Sequence, residues 1–150
     1  MLSNWNVTRM LAMAPWPPTL DNERAWLATH AEDWRAGVAY RFAVIRSGVL
    51  IGCADVDEVA DGLGEIGYWF DEASWGAGYA TEAARAVVDF AFGSLGLARL
   101  RSGHAADNPA SGKVLLKLGF QRVGEGELFS RPRQTMVRRI RYALGRPAAA

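Results

Sequence analysis

Between Leu63 and Leu95 the hydrophobic pattern changes its period, and the change falls on a pair of glycines. From Leu63 to Phe70 the residues alternate, with Ile66, Tyr68 and Phe70 on one face and Glu65, Gly67 and Trp69 on the other, as in a strand. From Ala80 onward, Ala80, Ala84, Val87, Val88, Ala91, Phe92 and Leu95 recur at spacings of three and four, which is one face of a helix. Trp75-Gly76-Ala77-Gly78 joins the two. A further strand-like run, Leu97 to Ser102, follows the helix, so the unit reads as a strand–helix–strand crossover with parallel strands.

Around this unit the rest of the chain takes shape. The first forty residues read as helical, broken at Pro15-Trp16-Pro17-Pro18. Thr19 or Asp21 can cap a helix that runs to about Arg35, and Gly37 can end it. Tyr40 to Arg46 and Val49 to Val56 read as strands joined by a tight Ser47-Gly48 turn, and Asp61-Gly62 marks the next turn. Asn108-Pro109 starts a helix with Val114, Leu115 and Leu118 on its buried face, and Gly119 ends it. Strands follow from Phe120 and from Thr135 to Tyr142. The fold class is therefore α/β, a mixed α+β sheet that is mostly antiparallel with a central parallel βαβ crossover. A length of 150 residues suits one domain over residues 1–150, with 146–150 expected as a disordered tail.

Composition narrows the function classes. Half the residues are hydrophobic, 22% are charged and the formal net charge is +1, so overall charge favours neither nucleic acid nor membrane. No stretch reaches membrane-spanning length and the first residues carry no signal-peptide pattern, from which a cytoplasmic location is expected. The single cysteine, Cys53, excludes an internal disulfide and a cysteine-built metal site, and its apolar surroundings suit a small buried hydrophobe. From Arg131 to the end there are six arginines and no acid. A solvated strand and tail is the plain reading of that stretch, and a phosphate or acidic partner the sharper one.

The loop before the long helix carries the clearest chemistry. The first amides of a helix have no acceptor within it, and its dipole favours negative charge there. Gly76 and Gly78 let the backbone come close to a ligand, so this terminus can cradle a pyrophosphate on N–H groups, with Thr81 adding a hydroxyl. A structural turn would explain two glycines about as well. The glycine spacing is neither that of a dinucleotide site nor that of a P-loop.

The surrounding residues give the loop a context. Glu65-Ile66-Gly67-Tyr68-Trp69-Phe70, then Trp75-Gly76-Ala77-Gly78-Tyr79-Ala80-Thr81-Glu82-Ala83, closely resembles the GNAT superfamily of acetyl-CoA-dependent N-acetyltransferases. So does Asp107-Asn108-Pro109-Ala110-Ser111, followed by Leu116-Lys117-Leu118-Gly119-Phe120. The branch that acetylates N-termini of ribosomal proteins is the most similar, and the likeness runs from about residue 6 to about residue 125. The resemblance implies acetyl-CoA as acetyl donor, a primary amine as acceptor and no metal. It implies that the amides of Gly76, Ala77, Gly78, Tyr79 and Ala80, with Thr81, hold the pyrophosphate. Trp69, Phe70 and Asp71 would pair with the pantetheine arm. Asn108 and Ser111 would lie beside the pantetheine and thiol, and Lys117 near the adenosine phosphates. A helix cap for Asn108 and a solvated charge for Lys117 are the plainer alternatives.

Departures from the family pattern bear on activity. Ala77 stands where a basic residue is common. Leu115 and Leu116 stand where many relatives carry a tyrosine that protonates the leaving thiolate, which leaves Ser111 or a water for that role. The strand that usually precedes the matched region is not evident, so the sheet edge is expected to be open, and self-association into a homodimer follows as one option. Glu65 is the favoured general base, with Asp55, Asp57 and a water wire as competitors, and His104 is a further proton carrier to consider. Trp5, Trp16, Trp26 and Trp34 are candidates for either core or acceptor pocket. A catalytically silent acyl-CoA-binding module is the alternative function. An RNA-binding reading through Arg138, Arg139 and Arg141 has no supporting aromatic-basic motif.

Overall fold

The computed structural model describes residues 1–147. The order is α1 (Trp5–Thr8), α2 (Leu20–Ala36), β1 (Tyr40–Arg46), β2 (Val49–Ala60) and β3 (Leu63–Phe70), then α3 (Tyr79–Gly93), β4 (Arg99–Ala105), α4 (Pro109–Lys117), β5 (Gln121–Ser130) and β6 (Thr135–Gly145). The six strands form one sheet in the order β1-β2-β3-β4-β6-β5. All neighbours are antiparallel except β3 and β4, which flank α3 and run parallel.

Local chemistry explains most element boundaries. Ser47 and Gly48 both have positive φ (48° and 79°), as do Asp61 and Gly62 (50° and 74°), which is the backbone twist that two-residue hairpins require. Thr19 caps α2 by accepting from the Asn22 amide, and Gly37 closes it in the left-handed conformation at φ 72°. Asn108 caps α4 with Pro109 in the first turn.

The apolar face of α3 packs on β2 and β3, and α4 packs on β4. Val56, Leu100 and Leu115 are fully buried between these layers. Trp34 of α2 stacks edge-on against Tyr40 and Phe42 of β1 and reaches Phe90 of α3. Arg41, on the opposite face of β1, reaches back to Asp33 of the same helix at 2.7 Å. The outermost strand β1 is therefore gripped from both faces by α2.

Three expectations are corrected. Residues 9–18 are not helical, and α1 is a single turn. Their backbone is held instead by the turn between β5 and β6: the Arg131 amide donates to Ala12 O at 2.8 Å, and Arg133 Nε to Arg9 O at 2.7 Å. Strand β2 runs on to Ala60 because its charged end is paired across the sheet, Asp57 with Arg41 and Glu58 with Arg101. Arg146 is anchored by its amide on Ala98 O at 2.9 Å, so the expected tail does not begin there; residues 148–150 lie outside the described part.

No helix among the described residues is long and apolar enough to cross a membrane. The basic stretch is largely neutralised among those residues. Arg133 forks onto Asp107, Arg138 pairs with Glu125, and Arg139 pairs with Glu65.

Candidate functional site

Strands β3 and β4 pair only over Leu63–Glu65 and Arg99–Arg101 and then part. Ser102 sits at the fork and donates its hydroxyl to Ile66 O at 2.8 Å, which satisfies a carbonyl the missing pairing would orphan. A cavity of about 930 Å³ fills the opening. It passes through the sheet, with Tyr68, Asn108, Ser111 and Gly78 lining it on the helix side and Asp55, Glu65, Trp69 and Trp26 on the other. That volume lies within the range of small-molecule sites.

The loop Trp75-Gly76-Ala77-Gly78 stands at the mouth on the helix side. Gly76 and Gly78 have φ of 76° and 86°, and a Cβ at either would meet nothing within 4 Å. Gly78 is the N-cap of α3 and offers no side-chain cap. Among the described residues, no protein acceptor takes the amides of Gly76, Ala77, Gly78, Tyr79, Ala80 or Thr81; the next amide, Glu82, bonds to Gly78 O. Six consecutive amides at this helix N-terminus are thus left without a protein acceptor among the described residues. The Trp75 indole donates to Phe70 O at 3.0 Å and pins the loop to the end of β3. Arg46 of β1 lies 5.1 Å over the ring of Tyr79, the first residue of α3. Sequence reading missed Arg46, because only the fold brings the first hairpin to the start of α3.

The other expected residues fall in several places. Trp69 and Phe70 line the cavity at the end of β3. Asp71 does not line it, and its amide is spent on Ile51 O at 2.9 Å. Asn108 caps α4 and also lines the cavity, while Lys117 lies exposed at its rim. Ser111 Oγ lies 2.9 Å from the Tyr68 hydroxyl, which is equally close to Ser111 O. Burial pushes the Tyr68 phenol up to about 12, so it stays protonated as a donor. Alternation placed Tyr68 on one face with Ile66 and Phe70; the step across the opening to α4 is a tertiary feature.

Glu65, the base favoured from sequence, is engaged by two arginines. Its carboxylate accepts from Arg101 Nε at 2.8 Å and Arg139 Nη2 at 2.5 Å, so both oxygens are engaged by guanidiniums. Glu65→Gln is expected to cost about 1–2 kcal/mol of stability, measured by urea unfolding, through the loss of two charge-assisted bonds. Neighbouring Asp55 is different. It is partly buried, and no cation pairs with it among the described residues. Burial, with the nearby Asp57 charge second, pushes its carboxyl up to about 7. Asp57 is also raised by burial, although Arg41 works against that.

His104 is buried, its Nδ1–H donating to Ala105 O at 2.8 Å and its Nε2 3.3 Å from the Tyr142 hydroxyl, so both ring nitrogens are occupied. Cys53 is buried and its thiol is pushed up to about 12 by desolvation. Of the tryptophans, Trp26 lines the cavity, Trp5 packs on Trp16 at 4.9 Å and Trp34 belongs to the aromatic cluster. Asp107 ties Arg9 and Arg133 together and so fixes the N-terminal segment over the cavity, and the Arg133 bond holds its carboxyl below the usual range.

The family model described as the acetyltransferase (GNAT) domain matches residues 1–121, and the chain belongs to that family. A probable N-acetyltransferase from Bacillus subtilis, YjcK, is 33% identical over 111 residues, covering 71% of this chain and 61% of the relative. The matched part spans between 34% and 61% of the lengths of three curated relatives from Bacillus. Two solved structures share the fold. The ribosomal-protein-S5-alanine acetyltransferase from Vibrio fischeri superposes with a TM-score of 0.86 at 20% identity, covering 99% of this chain and 84% of that one. A ribosomal L7/L12 alpha-N-protein acetyltransferase in complex with coenzyme A gives 0.81 at 19% identity, covering 95% and 81%.

Proposed function

We propose that this chain binds acetyl-CoA in the opening between β3 and β4 and transfers the acetyl group to a primary amine. One observation carries the reading: six unpaired amides, Gly76 to Thr81, face a space kept clear by two glycines at a helix N-terminus. That is an anion cradle, and a side chain at either glycine would fill it. Arg46, held over the Tyr79 ring, is a positive charge near the start of α3. Family membership supports the same donor, and the acceptor is read as a peptide N-terminus or a small-molecule amine.

Acetyl-CoA when bound supplies a thioester carbon open to amine attack. The residues present suit that chemistry. Trp69 and Phe70 offer backbone at the parted edge of β3, where an N–H can meet developing oxyanion charge. Asn108 and Ser111 stand across the opening on α4, and the Tyr68–Ser111 hydroxyl pair is placed to hand a proton to a leaving thiolate. Tyr68 thereby takes the role for which Leu115 and Leu116 have no hydroxyl. The presence of proton-transfer groups on both faces of the opening favours transfer over a silent binding module.

Calorimetric titration with acetyl-CoA tests the binding, and mass spectrometry of an amine panel tests the transfer. Stoichiometric binding with a mass gain of one acetyl group on any amine is the expected result. Absence of binding overturns the reading.

A further inference from the structure

We infer that Asp55 is the general base that takes the proton from the acceptor ammonium. The inference rests on the transferase reading above and names a residue for its first step. An amine in neutral solution is mostly ammonium, and it attacks only after losing a proton. Something on the acceptor side of the sheet must receive that proton.

Asp55 sits on β2 opposite Gly67 on β3. A Cβ on residue 67 would lie 2.5 Å from Asp55 Oδ1, so the carboxylate rests directly over the β3 backbone at the one residue that leaves room for it. Gly67 lies two residues beyond Glu65, the last β3 residue paired with β4. The carboxylate therefore stands where the opening begins, inside the cavity, with Trp69 next along the same face. The Tyr68–Ser111 pair lies on the opposite face of β3. Base and acid thus flank the gap from its two sides, which is the arrangement a transfer through the gap needs.

The groups around Asp55 leave it the task. On its own strand lie Cys53 and Asp57; from β1 comes Arg41, whose guanidinium is occupied by Asp33 at 2.7 Å and Asp57 at 3.1 Å. From β3 comes Glu65, held by Arg101 and Arg139. Glu23 and Trp26 of α2 face the same cavity, with His30 one turn beyond Trp26 in contact with its ring. Asp57 and Glu65 are each tied to arginine, and Asp55 is not. Desolvation also brings its ionisation to about 7, where a base is most effective. In the step, an ammonium N–H bond breaks and its electron pair stays on nitrogen. An O–H bond forms on Asp55, which later releases the proton to solvent.

The test compares two acceptor probes in the native chain and in Asp55→Asn, which keeps size and removes basicity. Near pH 7 glycinamide is mostly ammonium and must lose a proton before attack, whereas hydroxylamine, a much weaker base, is already mostly neutral. Asp55→Asn is expected to lower kcat/KM for glycinamide by about 100-fold or more and for hydroxylamine by much less. The native profile should rise through one ionisation near pH 7, and the variant should lose that inflection. Acetyl-CoA affinity, read by calorimetry, should be unchanged. Equal losses with both probes, or an unchanged pH profile, overturn the assignment, as does a native chain that binds acetyl-CoA and acetylates neither probe. A native chain that fails to bind acetyl-CoA overturns the transferase reading itself, so the two failures are separable.

Discussion

Gly78→Glu is expected to weaken acetyl-CoA binding by about 100-fold or more and to leave the fold in place. The expectation follows from what surrounds the residue. Gly78 is the N-cap of α3 at φ 86°, and an added Cβ meets no atom within 4 Å. A side chain there extends into the space the six free amides face, so it collides with a ligand and not with the protein. The carboxylate would also sit where a phosphate charge is to be held, taking the same donors. A non-glycine residue at positive φ costs about 1 kcal/mol of stability. A negative charge at a helix N-terminus returns about half of that. Gly78→Ala separates the contributions, because it carries the backbone strain without the charge or the bulk. Calorimetry should show a loss of a few-fold for alanine and no measurable heat for glutamate, with both variants melting cooperatively. Glutamate binding as tightly as glycine would remove the cradle from the site.

The loop before α3 was legible in the sequence because it is local: a strand end, two glycines and a helix start lie within a dozen consecutive positions. The hairpins at Ser47-Gly48 and Asp61-Gly62, and the caps Thr19, Gly37 and Asn108, were legible for the same reason. What escaped is what distant residues decide. Residues 9–18 give up a helix because the turn between β5 and β6 supplies their hydrogen-bond partners more than a hundred positions away. Strand β6 lies between β4 and β5, and no local pattern announces that order. Glu65 has a sequence position that suits a base, but Arg139, 74 residues on, arrives beside it and occupies one of its oxygens. Asp55 and Glu65 lie on the neighbouring strands β2 and β3 and share one face of the sheet; the placement of the arginines distinguishes them. The alternation that placed Tyr68 with Ile66 and Phe70 identified its face correctly and could not show that its hydroxyl crosses to Ser111.

Asp55→Asn is expected to make the protein more stable even as it impairs transfer, by about 2 kcal/mol in mildly alkaline buffer. The sign follows from the direction of the shift. The Asp55 carboxyl is raised from its unfolded range near 4 to about 7 in the folded chain, so the folded state favours the protonated form. Below the unfolded value both states carry the proton and the residue costs nothing. As pH rises from there, the unfolded chain ionises freely while the folded chain resists, and native stability falls until the folded group ionises too. Above about 7 the penalty is constant. A shift of roughly three units corresponds to about 4 kcal/mol, and partial solvent access brings that to about half. Asparagine carries no such penalty, and removing the Asp55 charge also relieves Asp57, which burial raises as well. Urea unfolding across the pH range should give overlapping midpoints in acid and a growing advantage for the variant toward neutral pH, then a plateau. An advantage that is absent, or that shrinks as pH rises, would show that the carboxylate is well solvated where it stands. A plateau in the expected window would mean that the fold holds a charge at the cavity's apex against its own stability, which is the ordinary signature of a group kept for chemistry.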